Sequence, residues 1–309
     1  MSAARIDAHH HVVPPRYRRW LQERGVSAGG RAIPEWSAEN SLGLMDRIGV
    51  ESAILSVSTP GVEPADADNQ RPLARELNEF CAITVQEVPQ RFGFWATLTL
   101  PDVEGALLEA TYALDELHAD GVVILANSQG TYLGDRRFDP LMEELNRRAA
   151  VVFVHPSHLP GDEAPGIPAF AADFLLDTTR AAVNMVINGT LERYPDLRVI
   201  LSHAGGFVPY AADRIARSIA LEHSHLTEDA VLTGLRQFYF DTALSGSKFA
   251  LPSLLSFAEP DHIVFGSDYP YAPAEWAMSF TDNLDNYVGL DHALVNRGNA
   301  ERLLPRLAR

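Results

Sequence analysis

The stretch Arg5–His11 reads RIDAHHH and stands close to the start of the chain. It predicts a β-strand, and because strand residues alternate between two faces, His9 and His11 point to one side and His10 to the other. Two imidazoles on one face at the end of a strand can share a metal ion. A His-x-His pair also arises by chance, so its meaning depends on the fold around it.

Seven further short apolar runs follow along the chain. They are rich in Val, Ile, Leu and Phe without strict alternation, which is typical of buried parallel strands. The runs are Ser52–Val57, Phe92–Leu98, Val122–Leu125, Val151–Val154, Val199–Ser202, Phe238–Asp241 and Ile263–Phe265. Amphipathic stretches that predict helices separate most of them. Eight strands alternating with helices predict an α/β fold, a (β/α)8 TIM barrel.

Two segments interrupt this alternation and have the composition of insertions. Val12–Asn40, after the first predicted strand, is rich in Pro, Gly, Arg and Trp, and His158–Ala169, after the fifth, contains three prolines. Both follow the C-terminal ends of strands, where barrel enzymes build their active sites. The chain contains no repeat or linker pattern, so we expect one domain over residues 1–309.

The overall charge restricts the classes of partner. The chain has 309 residues and a formal net charge of −16, which argues against nucleic acids and acidic membranes as partners. No apolar run is long enough to cross a bilayer, and the early strand pattern leaves no room for a signal peptide, so we expect a cytoplasmic protein. The single cysteine, Cys81, excludes an intramolecular disulfide and a cysteine-built zinc site.

Three more polar side chains stand at the ends of predicted strands. His155 lies in VVFVHP, His203 in VILSHAGG and Asp268 in IVFGSDYP. Each has an ordinary explanation when taken alone, such as a core histidine or a helix-capping carboxylate. In a barrel, however, the C-terminal ends of the strands converge, and three imidazoles, or two with a carboxylate, form a catalytic metal site. The combination therefore predicts a metal centre at the mouth of the barrel.

The motifs DAHHH, VHP, SHAGG and GSDYP resemble the amidohydrolase-2 branch of the amidohydrolase superfamily. That branch includes the aminocarboxymuconate-semialdehyde, γ-resorcylate and 6-methylsalicylate decarboxylases, and the intervening sequence is most similar to the last group. The resemblance covers nearly the whole chain. It implies one divalent metal ion, a homodimer, and His203 in contact with the metal-bound water or the substrate. The implied metal ligands are His9, His11, His155 and Asp268.

The resemblance also implies substrate-binding arginines. Arg214, in SHAGGFVPYAADR, matches an arginine associated with substrate binding or the dimer contact, and Arg180, in DTTRA, is a second candidate for a substrate carboxylate. The alternative for both is an ordinary charge on a helix surface. Many binuclear relatives bridge two metals with a carboxylated lysine at the end of strand four. Here the only lysine is Lys248, far from that strand, so a mononuclear site is expected.

The expected activity is the non-oxidative decarboxylation of an aromatic or unsaturated acid, such as a 6-methylsalicylate-like hydroxybenzoate. Asp268 or His203, or water between them, would donate the proton. The alternative is hydrolysis of a lactone, ester or amide, because the same site can activate water. A purely structural metal site is disfavoured, since such sites usually include cysteine. Imidazole with carboxylate suits zinc best, while manganese, iron and magnesium stay open.

Overall fold

The computed structural model describes residues 4–161 and 164–308. Eight parallel strands form one sheet in which each strand lies beside the next one along the chain. The strands are β1 (Arg5–His11), β2 (Val50–Ser56), β3 (Phe92–Thr97), β4 (Gly121–Leu125), β5 (Val151–His155), β6 (Arg198–Leu201), β7 (Tyr239–Asp241) and β8 (Ile263–Val264). Each coincides with a predicted run to within two residues, and the predicted (β/α)8 barrel is confirmed.

Helices connect the strands and cover the outside of the sheet. They are α1 (Pro15–Glu23), α2 (Ala38–Ile48), α3 (Ala67–Glu87), α4 (Val103–Asp115), α5 (Asp139–Arg147), α6 (Ala169–Ile187), α7 (Thr190–Arg193), α8 (Val208–Glu222), α9 (Glu228–Arg236), α10 (Leu251–Phe257), α11 (Ala274–Asp285) and α12 (Asn299–Leu303). Local signals set their ends. In α2, the side chain of Ser37 accepts from the Asn40 N–H, and Gly49 ends the helix at φ 70°.

The barrel closes between β1 and the segment that follows β8. The Ala8 N–H donates to the Phe265 carbonyl at 2.9 Å, and the His11 N–H donates to the Tyr269 carbonyl at 2.7 Å. Between these two bonds, the Asp268 N–H donates to the His9 carbonyl at 2.8 Å. Closure of the sheet therefore holds Asp268 against the histidines of β1.

The interior of the barrel is packed with side chains below this end, as in other TIM barrels. The buried cluster includes Ile54, Trp95, Phe153 and Ile200. The Trp95 indole N–H donates to the Ala8 carbonyl at 2.9 Å, which satisfies its polar atom within the core. This layer forms a rigid floor beneath the strand ends.

The two segments with insertion-like composition carry different structure. The first contains α1, an irregular stretch with a bridge between Ala28 and Arg31, and the start of α2. The second, His158–Ala169, has no helix or strand before α6 in its described part, and Asp162 and Glu163 lie outside the described residues. A two-stranded hairpin, Asn127–Ser128 with Thr131–Tyr132, follows β4 and was not predicted.

None of the described helices combines the length and the apolar character that a membrane span requires.

Candidate metal centre

Four buried side chains from distant parts of the chain meet at the C-terminal end of the barrel. They are the four residues expected to bind metal: His9, His11, His155 and Asp268. One ligand atom from each lies within 4.8 Å of the others. The Nε2 atoms of His9 and His11 are 2.9 Å apart, and both lie close to Asp268 Oδ1, at 3.2 and 3.1 Å. The structure thus brings together a set of donors of the size of one metal site.

The outer ring nitrogens determine which way the imidazole protons point. His9 Nδ1 lies 2.6 Å from a carboxylate oxygen of Asp241, and His155 Nδ1 lies 2.9 Å from the Pro156 carbonyl. His11 Nδ1 lies 3.2 Å from the Ser56 carbonyl, and 2.9 Å from the Ser56 hydroxyl, which can accept as well as donate. Carbonyl and carboxylate oxygens only accept, so each Nδ1 carries the proton. The three Nε2 atoms therefore face one another and Asp268, and each can offer a lone pair to a metal ion when its ring is neutral.

This donor set fits a divalent cation. Three imidazole lone pairs and a carboxylate converge, and outer partners that orient the rings are the usual support for metal-binding histidines. His9, His11, His155 and Asp268 are hence suited to hold one ion of the zinc or manganese type.

Electrostatics within the cluster favour positive charge at its centre. Burial would lower the pKa of His9, but the carboxylates of Asp241 and then Asp268 outweigh it and raise the pKa to about 10. Burial lowers the pKa of His11 to about 4 and that of His155 well below its usual value. Burial alone would raise the pKa of Asp268, yet hydrogen bonds from the surrounding histidines hold it well below its usual range. The carboxylates of Asp241 and Asp268 thus favour one positive charge, a proton or a metal ion, between these groups.

His203 follows β6 at the edge of the cluster. Its backbone N–H donates to Asp241 Oδ1 at 2.8 Å, and its ring Nε2 lies 3.6 Å from Asp268 Oδ2. Within the described residues, its buried Nδ1 has no hydrogen-bond partner. The backbone is left-handed at His203 (φ 53°), Ala204 (φ 55°) and Asp268 (φ 60°). Strained backbone of this kind concentrates at functional sites, where the surroundings hold a side chain in place.

Gly206 makes this turn possible. Its φ is 64°, and a Cβ at this position would lie 2.1 Å from the Leu175 carbonyl oxygen of α6. The close approach of α6 to the turn requires the absence of a side chain. The second glycine of SHAGG consequently packs α6 against the segment that carries His203.

His10 points away from the cluster, as strand alternation predicts. Its Nδ1 lies 3.1 Å from Asp7 Oδ2 and its Nε2 lies 3.1 Å from the Ser41 hydroxyl. All three side chains are buried. His10 therefore ties β1 to α2 and takes no part in the metal cluster.

A cavity with aromatic walls opens onto the cluster. Phe170, Phe174, Tyr271 and Trp276 line it together with His155, His203 and Asp268. A wider hollow of about 380 Å³ continues past His203 between α6, α8 and α10. The wider hollow has the larger volume, but the cavity that opens onto the cluster, called the inner cavity below, is the one lined by both His155 and Asp268.

The two predicted substrate arginines do not line either part of this cavity. Arg180 is exposed on α6, where it contacts Tyr132 and lies near Asp177, and Arg214 is exposed on α8. Arg31, from the first predicted insertion, does line the inner cavity.

The sequence argument did not single out Arg31 or Asp241. Asp241 ends a predicted strand, as His155 does, so the same criterion could have identified it. Arg31 lies in an irregular stretch that carries no comparable signal.

A model of the amidohydrolase family matches residues 6–306. The chain belongs to the amidohydrolase family. Among its relatives, decarboxylase yanB of Aspergillus niger is 38% identical over 98% of this chain and 88% of its own length. The 6-methylsalicylic acid decarboxylase of Penicillium expansum is 38% identical over 98% of this chain and 97% of its own. A crystal structure of an amidohydrolase II has a TM-score of 0.90 at 30% identity, covering 97% of this chain and 99% of that one. The resemblance inferred from the motifs is confirmed.

Neighbouring histidines of β1 offer a direct test of the metal centre. We expect His11→Ala to weaken divalent-metal binding by about 100-fold or more, since even partners that only orient a metal-binding histidine are worth about 10–100-fold. His10→Ala should keep the wild-type metal content, because its side chain faces Asp7 and Ser41. It should lower the free energy of unfolding by about 1–3 kcal/mol, because it leaves buried groups unpaired.

The readouts are elemental analysis after dialysis and denaturant unfolding of both variants. Equal loss of metal from His10→Ala and His11→Ala would contradict the assignment.

Proposed function

We propose that this amidohydrolase is a metal-dependent carboxy-lyase that removes CO2 from a hydroxybenzoate of the 6-methylsalicylate type. The observation that carries the proposal is the cluster of three imidazoles and one carboxylate at the base of a cavity with aromatic walls. The names of the relatives support it, since those from Aspergillus niger and Penicillium expansum are both decarboxylases.

The metal-binding residues are proposed to be His9, His11, His155 and Asp268. A divalent ion held there would act as a Lewis acid and template for the substrate carboxylate and a neighbouring oxygen. Zinc is the ion we propose, because imidazole nitrogens dominate the donor set, with manganese as the competitor. Elemental analysis of the purified protein distinguishes the two.

The cavity walls are suited to a flat ring. Phe174 is buried, and its neighbours Phe170, Tyr271 and Trp276 leave an apolar slot above the cluster. An aromatic acid would bury its ring among these side chains while its polar groups face the metal-binding residues. Exclusion of water from this slot also strengthens the electrostatic interactions at its base.

His203 is placed to manage the proton. Its Nε2 lies 3.6 Å from Asp268 Oδ2, and it lines the cavity. We propose that this pair delivers a proton to the ring carbon that carries the carboxylate. The bond between that carbon and the carboxylate then breaks, its electron pair restores the aromatic ring, and CO2 leaves. One proton is consumed for each CO2 released, and no oxidant is needed.

Arg31 supplies positive charge at the entrance in an otherwise acidic chain. Its guanidinium carbon lies 5.2 Å from the ring centre of Phe170 and 5.9 Å from that of Trp276. Contact with the two rings holds the charge at the cavity wall. We propose that Arg31 attracts the anionic substrate towards the cavity, where the metal-binding residues then hold its carboxylate. Arg180 is not proposed to touch the substrate from the same chain, because its side chain faces Tyr132 and Asp177.

A homodimer is also proposed. Tyr210 and Phe249 line the wider hollow but are 83% and 82% exposed, so apolar surface lies open beside the active site. A second copy would cover this surface. Arg214 follows Tyr210 by one turn of α8 and would lie at that contact.

The reaction type is tested by product analysis. Metal-replete enzyme should release CO2 and form the decarboxylated phenol from 6-methylsalicylate or γ-resorcylate, and a chelator should abolish this activity. Headspace CO2 measurement and mass spectrometry provide the readout. If no hydroxybenzoate is turned over while a lactone, ester or amide is hydrolysed without CO2, the hydrolase alternative holds.

Arg31 is tested against a matched arginine. Arg31→Met should lower kcat/KM for the aromatic acid by about tenfold or more, mostly through KM, since about 1.4 kcal/mol of charge-assisted binding is lost. Arg24→Met is the control, because Arg24 belongs to the same segment and stacks on Trp20 at 4.4 Å, away from the inner cavity. Steady-state kinetics that change equally in both variants would rule out a specific role for Arg31.

The dimer is tested by light scattering at micromolar concentration, where we expect twice the chain mass. The double variant Tyr210→Asp/Phe249→Asp should shift the protein towards the monomer, because it places charge on the apolar contact. Val288→Asp, at another exposed apolar residue (93% exposed), should not. A monomeric wild-type mass would contradict the proposal.

A further inference from the structure

The histidine of β5 is oriented by a peptide group. His155 Nδ1 donates to the Pro156 carbonyl at 2.9 Å. The N–H of that same peptide group belongs to Ser157, and it donates to Asp177 Oδ2 at 2.9 Å. A carboxylate, one peptide group and one imidazole therefore form an unbroken line of hydrogen bonds that ends at the metal-binding Nε2.

Asp177 is a fully buried carboxylate in the middle of α6. Its second oxygen accepts from the Asn127 amide at 2.9 Å and from the Tyr132 hydroxyl at 3.0 Å. Both donors come from the hairpin after β4. Burial raises the pKa of Asp177, while these hydrogen bonds, the one from Ser157 and the nearby charge of Arg180 act in the opposite direction and favour its ionised form. The hairpin and α6 together hold the carboxylate in one orientation towards Ser157.

A buried anion costs free energy even when it is well hydrogen-bonded, and an apolar residue of similar size would often stabilise the fold as well or better. Asp177 nevertheless accepts from the peptide group that bonds to the His155 imidazole. The outer nitrogen of His9 has a carboxylate partner too, but there Asp241 makes the contact directly at 2.6 Å. The two histidines are thus supported by carboxylates in two ways, one direct and one through a peptide.

We propose that Asp177 is a positioning residue for the metal centre, acting on His155 through the peptide group between Pro156 and Ser157. This inference rests on the proposed metal site. A carboxylate that accepts from the peptide N–H draws electron density towards the peptide carbonyl oxygen. The oxygen becomes a stronger acceptor, since hydrogen bonds in a chain reinforce one another. The stronger bond fixes the imidazole ring and makes its Nε2 a better electron donor.

The test compares Asp177→Asn with Glu109→Gln. The first removes the charge while preserving the shape of the side chain. Glu109 is the matched control, because it is a buried carboxylate that accepts from Asn78 at 2.8 Å and from Arg75 at 2.9 Å, away from the metal cluster. Zinc affinity is measured by competition with a chromophoric chelator. The cobalt-substituted proteins are compared by their visible absorption, which reports the ligand field.

Asp177→Asn should weaken zinc binding by about tenfold or more and shift the cobalt absorption bands. Glu109→Gln should leave the zinc affinity and the cobalt absorption bands unchanged, even if it lowers the unfolding temperature as much as Asp177→Asn does. Wild-type affinity and an unshifted cobalt spectrum in Asp177→Asn would overturn this inference alone. A wild-type protein that binds no divalent ion would overturn the proposed function and this inference together.

A measurement on the wild-type protein covers the case in which Asp177→Asn does not fold. Zinc binding at His155 should strengthen the line of hydrogen bonds and move the Ser157 amide proton downfield in the NMR spectrum. The Phe94 amide is the reference, because it donates to a carboxylate oxygen of Asp120 at 3.0 Å and lies on β3, outside the metal cluster. A Ser157 amide proton whose chemical shift stays unchanged or moves upfield on zinc binding would refute the proposed line of hydrogen bonds from Asp177 to His155.

Discussion

The convergence of four electron-donating side chains on one point is the constraint on which the rest of this structure depends. It requires a closed sheet, because β1, β5 and the segment after β8 meet only when the two ends of the sheet are joined. The joining hydrogen bonds lie at the site itself, where the Asp268 N–H donates to the His9 carbonyl. The contacts that close the barrel therefore also hold these side chains together.

Burying these carboxylates and imidazoles would cost free energy if no group of opposite charge lay beside them. Asp241 and Asp268 are buried carboxylates, and the imidazoles beside them are fully enclosed. Such groups are tolerated when each is hydrogen-bonded and when the total charge is balanced. Asp241 serves two elements at once, since one oxygen faces His9 and the other accepts from the backbone of the turn that carries His203. The cost of the buried charges is offset by the bonds that orient the ligands, so rigidity and metal-binding chemistry come from the same contacts.

The fold separates the chemistry from the recognition of substrate. Strand ends supply the residues proposed to bind metal, and they stand on the rigid floor formed by Trp95 and Phe153. The segment after β1 and the start of α6 supply the cavity wall, with Arg31 resting on Phe170. Substrate preference can therefore change through the wall while the metal centre is kept. In a chain with a net charge of −16, the local position of one arginine matters more to an anionic substrate than the overall charge does.

The sequence alone predicted the eight strands, the barrel and a set of polar side chains at its mouth, because strand periodicity and the convergence of strand ends are regular and local rules. The choice of His9, His11, His155 and Asp268 within that set came from the resemblance to the amidohydrolase family. Strand periodicity also placed His10 on the opposite face from His9 and His11. Only the tertiary structure decided that Asp241 lies behind His9, that Arg31 rather than Arg180 lines the cavity, and that Asp177 reaches the peptide beside His155. These contacts join residues on irregular segments or on separate helices, and their geometry depends on how the loops and helices pack. No repeating pattern along the chain encodes such distances.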